Sequence, residues 1–301
     1  MKLALTGGTG FVGAHLLDAA VAAGHEVLAL TRREQPPRER VTWILGDLHD
    51  RSALEQLVGD VDAAIHVAGV ISARTAAAFE NGNVLGTLAF LAAATAGGVR
   101  RFVHVSSLAA REPNLSLYGD SKARGEDLVM GSGLDWSIVR PPAVYGPGDR
   151  ETLELFRMAK LGIILMPPKG RISIIHVHDL ARLLLALSQA GAPSSILIEP
   201  DDGTPGGWTH RDFARALGDA VGTRPAILSS PGVLLRLAAR ADQLLRRDRA
   251  KLTVDRAAYF SHRNWVVEPK RAAPEGLWRP EIRTTDGLKQ TADWYRKAGW
   301  L

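Results

Sequence analysis

The chain opens on Leu3-Ala4-Leu5-Thr6-Gly7-Gly8-Thr9-Gly10-Phe11-Val12-Gly13, an apolar run that breaks into glycines at 7, 10 and 13. The run before Gly7 predicts a strand, and the stretch from Gly10 to Ala23 predicts a helix. A strand, a tight glycine turn and a helix in that order meet three demands of dinucleotide binding: a sharp turn, a backbone that can approach a pyrophosphate, and close packing of helix on strand. The helix N-terminus then offers free N–H groups and the positive end of its dipole to the phosphates. Glycine turns also follow strands for purely structural reasons. The surrounding strand and helix favour the cofactor, with Gly7, Thr9, Gly10, Phe11, Val12 and Gly13 as the contacting residues.

Outward from this turn the pattern repeats. Leu3–Thr6, Glu26–Leu30, Val41–Leu45, Ala63–Val67, Arg101–Val105 and Trp136–Val139 read as strands. Helical stretches lie between them at Gly10–Ala23, Ser52–Val58, about Thr75–Ala96, and Tyr118–Met130. Such alternation predicts an α/β protein of Rossmann type, a doubly wound parallel sheet with helices on both faces. The strands are apolar nearly throughout, as a sheet buried on both sides requires. After Pro141 the rhythm loosens, with helices at about 151–160, 179–190, 209–221 and 232–246 and a further strand at Ser195–Ile198. The expected division is an NAD(P)-binding domain over 1–150, with sheet contributions from about 171–200. Residues 151–301 then form mainly a smaller, interleaved C-terminal substrate lobe.

The bulk composition suits a globular enzyme. The 301 residues are 46% apolar, contain no cysteine and carry a formal charge of +5. Disulfides and thiolate metal sites are thereby excluded, and a reducing cytoplasm is the expected location. The stretch before the first glycine is too short for the apolar region of a signal peptide. No apolar run approaches the roughly 20 residues that span a bilayer, so no integral membrane contact is expected. The mild basic balance fits an anionic cofactor or substrate, and no aromatic-plus-basic stripe of a nucleic-acid binder is present.

The second strand runs into Thr31-Arg32-Arg33. A carboxylate here would hold a ribose 2′-hydroxyl and favour NAD(H); two arginines suit a 2′-phosphate instead. Arg32 and Arg33 therefore favour NADP(H), although Glu34 leaves NAD(H) open and solvated loop charges are the plainer reading. After the third strand, Asp47 is placed either to accept the adenine amino group or to cap the next helix.

The later motifs extend the pattern. They are Gly46-Asp47-Leu48, His66-Val67-Ala68-Gly69, Asn83-Val84-Leu85-Gly86-Thr87, Val105-Ser106-Ser107, Tyr118-Gly119-Asp120-Ser121-Lys122 and Arg140-Pro141-Pro142-Ala143-Val144-Tyr145-Gly146-Pro147-Gly148. Ile175-His176-Val177-His178-Asp179-Leu180-Ala181 follows, and the C-terminal pattern Gly287-Leu288-Lys289-Gln290-Thr291-Ala292-Asp293-Trp294-Tyr295-Arg296 closes the series. In this order they resemble the extended short-chain dehydrogenases/reductases, the NAD(P)-dependent epimerase/dehydratase group with its dihydroflavonol-reductase-like and 3β-hydroxysteroid-dehydrogenase-like members. The resemblance covers nearly the whole chain. It implies cofactor contacts at Leu48, Val67, Ala68, Gly69 and Ser106, a nicotinamide pocket lined by Pro141 and Val144, and an Asn83 suited to orienting a lysine through water. A plain helix-interior polar contact at Asn83 and a simple strand end at Pro141 are the structural alternatives. The resemblance also admits a homodimer, through helices at about 76–96 and 118–131.

Tyr118 and Lys122 stand four apart on a predicted helix and share one face. A phenol near pKa 10 is a poor proton partner at neutral pH, and an adjacent ammonium favours its ionised form. Lys122 is also suited to the nicotinamide ribose, so both residues count as cofactor contacts. Ser107, at the end of the strand bearing Val103-His104-Val105, is placed to hydrogen-bond a substrate oxygen. A Tyr-x-x-x-Lys spacing alone is equally an amphipathic helix start. Behind the glycine turn and the Ser-Ser strand end it predicts catalysis by Ser107, Tyr118 and Lys122, with Asn83 in support.

Some features depart from pattern. Only 11 positions separate Ser107 from Tyr118, which leaves the mouth open or its roof to the C-terminal lobe. At 272–280 the chain reads Ala272-Ala273-Pro274-Glu275-Gly276-Leu277-Trp278-Arg279-Pro280 where the group more often has a Leu-Gly step. His176 and His178, read on a strand, point to opposite faces, so no metal is expected and Asp179 is read as the cap of a helix starting at Leu180. Over 233–247, Leu234, Leu237, Ala241, Leu244 and Leu245 oppose Arg236, Arg240 and Arg247. That pattern reads as a solvated basic face, an anionic-substrate clamp or a membrane-surface contact. Trp265, Trp278, Trp294 and Trp300 are read mainly as core of an aromatic-rich lobe. The function expected is NADP(H)-dependent hydride transfer to or from a carbonyl or alcohol carbon of a small molecule. The rivals are a sugar-nucleotide epimerase or dehydratase that retains its cofactor, and a non-catalytic NAD(P)-binding regulator or assembly subunit.

Overall fold

A computed structural model describes residues 1–167, 169–229, 259 and 262–301. The predicted helix at 232–246 and the whole of the basic segment 233–247 lie outside the described residues. In chain order the first elements are β1 (Lys2–Thr6), α1 (Phe11–Ala22), β2 (Glu26–Thr31), β3 (Val41–Leu45), α2 (Arg51–Leu57), β4 (Ala63–His66), α3 (Ala76–Phe79), a π-helical turn (Glu80–Leu85), α4 (Gly86–Ala96), β5 (Arg101–Val105), α5 (Leu117–Met130) and β6 (Asp135–Val139). They continue as β7 (Ala143–Tyr145), α6 (Leu153–Lys160), β8 (Ile163–Met166), β9 (Arg171–Ile172), β10 (Ile174–His176), α7 (Val177–Ser188), β11 (Ile196–Ile198), β12 (Trp208–Thr209), α8 (His210–Val221), β13 (Ala226–Ser229), β14 (Asn264–Trp265) and α9 (Thr284–Lys297).

The chain divides into two compact units. The first comprises Met1–Pro141, His178–Pro200 and Lys270–Arg279. It holds a seven-stranded sheet in the order β3-β2-β1-β4-β5-β6-β11. Every pairing in it is parallel, with Leu3 opposite Val27 and Ala63, and Phe102 opposite Trp136. The order reverses between β1 and β4, the crevice where doubly wound sheets bind their ligands. All of β4 and β5 is buried, consistent with helices covering both faces. One apolar cluster joins Leu28, Leu54, Phe90 and Phe102 from strands and helices.

The second unit comprises Pro142–Val177, Asp201–Pro269 and Pro280–Leu301. Its described strands form small sheets, β10 with β7, β8 with β13, and β9 between β12 and β14. Its core gathers Tyr145, Phe156, Phe213, Leu288 and Tyr295.

The structure corrects several local expectations. The single helix predicted over Thr75–Ala96 is broken by the π turn around Asn83. Close approach explains the break: a Cβ at Gly82 would lie 2.4 Å from Val70, and one at Gly86 would lie 2.7 Å from Leu48. The extra residue of a π turn re-aims a side chain, and such turns gather at functional sites. α7 begins at Val177, so Asp179 lies within its first turn and binds Arg182 at 2.6 Å instead of capping a helix at Leu180. His178 is therefore helical, not on a strand with His176, and its ring meets His15 at 3.1 Å. Trp278 belongs to the first unit, where its indole donates to the Asp179 carbonyl, and not to a C-terminal lobe. The short segment between Ser107 and Tyr118 folds into two 3₁₀ turns, Leu108–Arg111 and Pro113–Leu115. Leu108, Ala109 and Ala110 are buried within it.

Candidate active site

The glycine turn closes through the Gly10 N–H donating to the Gly7 carbonyl at 2.9 Å. Gly7 has φ +77°, and a Cβ there would lie 2.6 Å from the Ala68 nitrogen. Thr6 ties the two strands at the crevice: its hydroxyl accepts from the Ala68 N–H and meets His66 Nδ1 at 2.6 Å. Gly10 is the N-cap of α1 and supplies no side chain to bond the first N–H groups. Thr9 and Gly10 are exposed, and Phe11 and Val12 are partly buried in the first turn. A Cβ-free cradle ending in an uncapped helix N-terminus fits a pyrophosphate, so the residues present suit a dinucleotide.

Gly13 makes that cradle possible. A Cβ there would sit 2.0 Å from the Gly7 carbonyl oxygen and 2.6 Å from its carbon, both backbone atoms. At Gly8 the nearest atoms are side-chain carbons at 3.3 and 3.6 Å. Gly13→Ala is expected to lose at least ~3 kcal/mol of stability together with dinucleotide affinity, because the backbone cannot yield. Gly8→Ala should cost less than ~1 kcal/mol. Urea unfolding and cofactor titration of both variants check this, and equal effects would refute the steric account.

Arg32 and Arg33 are exposed just beyond β2, with no side-chain partner among the described residues. Asp47 is exposed, and its carboxylate accepts from the His49 N–H at 2.8 Å. It does not cap α2; Asp50 does, accepting from Ala53 at 3.0 Å. Leu48 packs towards Gly86, under the π turn. The Val67-Ala68-Gly69 backbone runs on from β4, with the Val67 N–H donating to the Thr6 carbonyl. Pro141 is buried, and its carbonyl accepts from the Leu108 N–H. Val144 lies on β7 in the second unit.

The predicted catalytic residues converge at the end of β5. Lys122 is 4% exposed and donates to the Val105 carbonyl at 2.8 Å. Ser107 hydrogen-bonds the Tyr118 phenol, and its oxygen also accepts from the Ala109 N–H at 3.2 Å. Ser116 caps α5 at Gly119, and a Cβ at Gly119 would lie 2.7 Å from the Ala109 carbonyl. That close packing seats the start of α5 on the 3₁₀ turn after Ser107. Asn83 accepts from the Val70 N–H at 2.6 Å and donates to the Val70 carbonyl and Ser121 hydroxyl, both at 2.9 Å. A Cβ at Gly69 would meet Asn83 Oδ1 at 3.1 Å and Lys122 Nζ at 3.7 Å, so Asn83, Gly69 and Lys122 lie side by side.

Burial sets the protonation states here. It pushes the Tyr118 phenol above its usual value, with the Ser107 hydrogen bond opposing. The lowering expected from a neighbouring ammonium is not found, and the Ser107 hydrogen bond is what acts against burial. Lys122 is drawn down to about 8 by burial, with Glu126 acting in the other direction. At neutral pH the phenol is protonated and available as a donor.

Four residues at this site were given no role from the sequence. His66 bridges Thr6 and the Thr87 hydroxyl, and Thr87 in turn donates to the Asn83 carbonyl. His104 lies beside it with ring centroids 5.3 Å apart. Glu126 and Arg140 pair next to Ser106. The spacing Tyr118, Lys122, Glu126 was the available signal for the last pair, since steps of four repeat one helix face.

Residues 3–198 match the model of the NAD dependent epimerase/dehydratase family. A ceramide reductase of Caulobacter vibrioides is 39% identical, over 99% of this chain and 96% of that protein. A 4-hydroxy-2-methyl-3-oxo-4-farnesyl-3,4-dihydroquinoline-1-oxide ketoreductase of Stigmatella aurantiaca is 31% identical, over 82% and 81%. Among solved structures, the Bordetella bronchiseptica enzyme WbmG in complex with NAD superposes with a TM-score of 0.78 at 19% identity, covering 100% of this chain and 95% of that one.

Proposed function

Because the chain belongs to the NAD dependent epimerase/dehydratase family, and is an NAD(P)-dependent enzyme of the short-chain dehydrogenase/reductase type, we propose that it reduces a carbonyl on a ceramide-like lipid to the alcohol with NADPH. The observation that carries the chemistry is the Ser107–Tyr118 hydrogen bond one helical turn from a buried Lys122. The lipid class rests on likeness to the ceramide reductase along nearly the full length of both chains. The 3-oxo, farnesyl-bearing substrate in the name of the second relative points the same way.

Gly7, Thr9, Gly10 and the first turn of α1 would hold the pyrophosphate, and Arg32 and Arg33 the 2′-phosphate. The bound nicotinamide supplies the hydride that adds to the carbonyl carbon. Ser107 donates to the substrate oxygen and orients it. Tyr118, held protonated by burial, passes its phenolic proton to that oxygen as the C–H bond forms, which leaves a neutral alcohol. Lys122 stabilises the phenolate left behind and would hold the nicotinamide ribose hydroxyls. Leu108, Ala109 and Ala110, which follow Ser107, supply no additional acid or base, which weighs against a dehydratase.

The test is NADPH consumption with the oxo form of a ceramide in detergent micelles, with product identified by mass. Stoichiometric alcohol formation is expected. No oxidation of NADPH, or interconversion of sugar nucleotides with cofactor retained, would overturn the reading. A charge-assisted contact is worth about 1.5–3 kcal/mol. The double variant Arg32→Ala/Arg33→Ala should therefore lose about 100-fold in kcat/KM for NADPH and under threefold for NADH. An equal loss with both cofactors would refute the 2′-phosphate assignment.

A further inference from the structure

The inner face of α5 carries a third ionisable group. Glu126 follows Lys122 as Lys122 follows Tyr118, and it is 1% exposed. Its carboxylate accepts from the Ser106 hydroxyl and from both prongs of Arg140, Nε at 2.8 Å and Nη2 at 2.6 Å. Arg140 reaches on to Glu199 at 3.4 Å, and Glu199 faces Arg111 at 3.6 Å. Two carboxylates and two guanidiniums balance, and Lys122 is an additional buried cation beside them. Such networks cost desolvation that their own pairing scarcely recovers, and apolar residues often replace them without loss. This one touches the strand end that bears Ser107 and the helix that bears Tyr118 and Lys122.

We propose that Glu126 is a positioning residue for the reaction, which anchors the Ser106–Ser107 strand end through the Ser106 hydroxyl and sets an Arg140-paired carboxylate on the same face of α5 as Lys122, one turn on. The proposal rests on the reading of Tyr118 and Lys122 as the proton-handling pair. Among the described residues, the groups facing Lys122 are few. His104 on β5 and His66 on β4 sit beneath it, both held neutral by burial and by the Lys122 charge. Tyr118 is one turn away on α5, and the Val105 carbonyl accepts from the ammonium. Glu126 is the group that raises Lys122 against its burial. Arg140 offsets the Glu126 carboxylate, so removing either partner should move Lys122 in opposite directions. Arg111, on the 3₁₀ turn after Ser107, extends the same chain of charges to that turn.

The experiment compares Glu126→Gln, Arg140→Gln and Glu126→Asp in the full chain. Lys122 is titrated by NMR on ¹³Cε-labelled lysine, assigned with Lys122→Met, and the pH profile of kcat/KM is recorded alongside. Glu126→Gln should shift the Lys122 titration and the alkaline limb of the profile down by about one pH unit. Arg140→Gln should shift both upward, and Glu126→Asp should return the limb towards wild type. A purely structural network would lower thermal stability in all three variants and leave titration and limb in place, which overturns the proposal. If Glu126→Gln fails to fold, the sign of the Arg140→Gln shift decides. The NMR readout needs no substrate. A titration shift without carbonyl reduction by the wild type would sink the proposed reaction and leave the positioning role standing. Reduction without a titration shift does the reverse.

Discussion

Tyr118→Phe is expected to lower kcat for carbonyl reduction about a thousandfold, within the range that general acids contribute, while NADPH affinity changes less than threefold. The variant deletes one oxygen whose side-chain hydrogen bond is to Ser107. The ring keeps its packing against Phe79, with centroids 6.1 Å apart. Fold and cofactor cradle should therefore survive, and the loss should fall on the chemical step, with kcat and kcat/KM reduced alike. Ser107→Ala should lose about a hundredfold, and the double variant should lose little more than Tyr118→Phe alone, since the two act as a unit. Single-turnover measurements with saturating NADPH separate chemistry from product release. A Tyr118→Phe enzyme retaining a tenth of wild-type kcat would mean that the proton comes from elsewhere.

Acid should unfold this protein unusually early. His66 and His104 are both about 1% exposed or less. Burial, reinforced by the Lys122 charge, lowers His66 from 6.5 to about 3 and His104 well below its ordinary value. Both pKa values are depressed in the folded state, so below pH 6.5 the unfolded chain binds more protons than the native one. Stability must then fall as pH drops through that window. Each such histidine contributes a slope of about 1.4 kcal/mol per pH unit. At pH 5 His66 alone removes about 2 kcal/mol, a large share of a typical 5–15 kcal/mol, and His104 acts in the same direction. Lys122 titrates near 8 and adds no slope here. Asp149 and Asp201, raised by burial, act in the opposite sense from the carboxylate range upward. Urea midpoints at pH 7, 6 and 5 with an unchanged m-value measure the effect. His104 makes no side-chain hydrogen bond among the described residues, so His104→Leu should be neutral or stabilising at pH 7 and should roughly halve the slope. A flat stability profile between pH 7 and 5 would contradict the buried, neutral assignment of both rings.

Much of the molecule was written locally. Gly7 and Gly13 announce the turn because no side chain fits there, a steric demand visible in any strand–glycine–helix run. The six first strands and the helices between them follow from periodicity alone, and their ends agree with the structure to within a residue or two. Tyr118 and Lys122 fall on one face through helical spacing. The interruption at Asn83 was not legible, since it depends on Val70 and Leu48 arriving from other segments. Nor was the helical start at Val177, which moves His178 off the strand of His176 and against His15.

For this protein, then, sequence alone determined the glycine cradle, the alternation of strands and helices that makes a parallel sheet, and the Tyr118–Lys122 face, because short-range sterics and periodicity encode all three. Tertiary structure decided the charges on that machinery. The direction of the Tyr118 shift, the weakened Lys122 and the neutral His66 and His104 come from burial. The carboxylate that supports Lys122 is held by Arg140, which lies beyond the end of β6 and next to Glu199 from the end of β11. Desolvation and summed charge are properties of the assembled interior, where residues 14 and 59 positions apart meet, and no local pattern reports them.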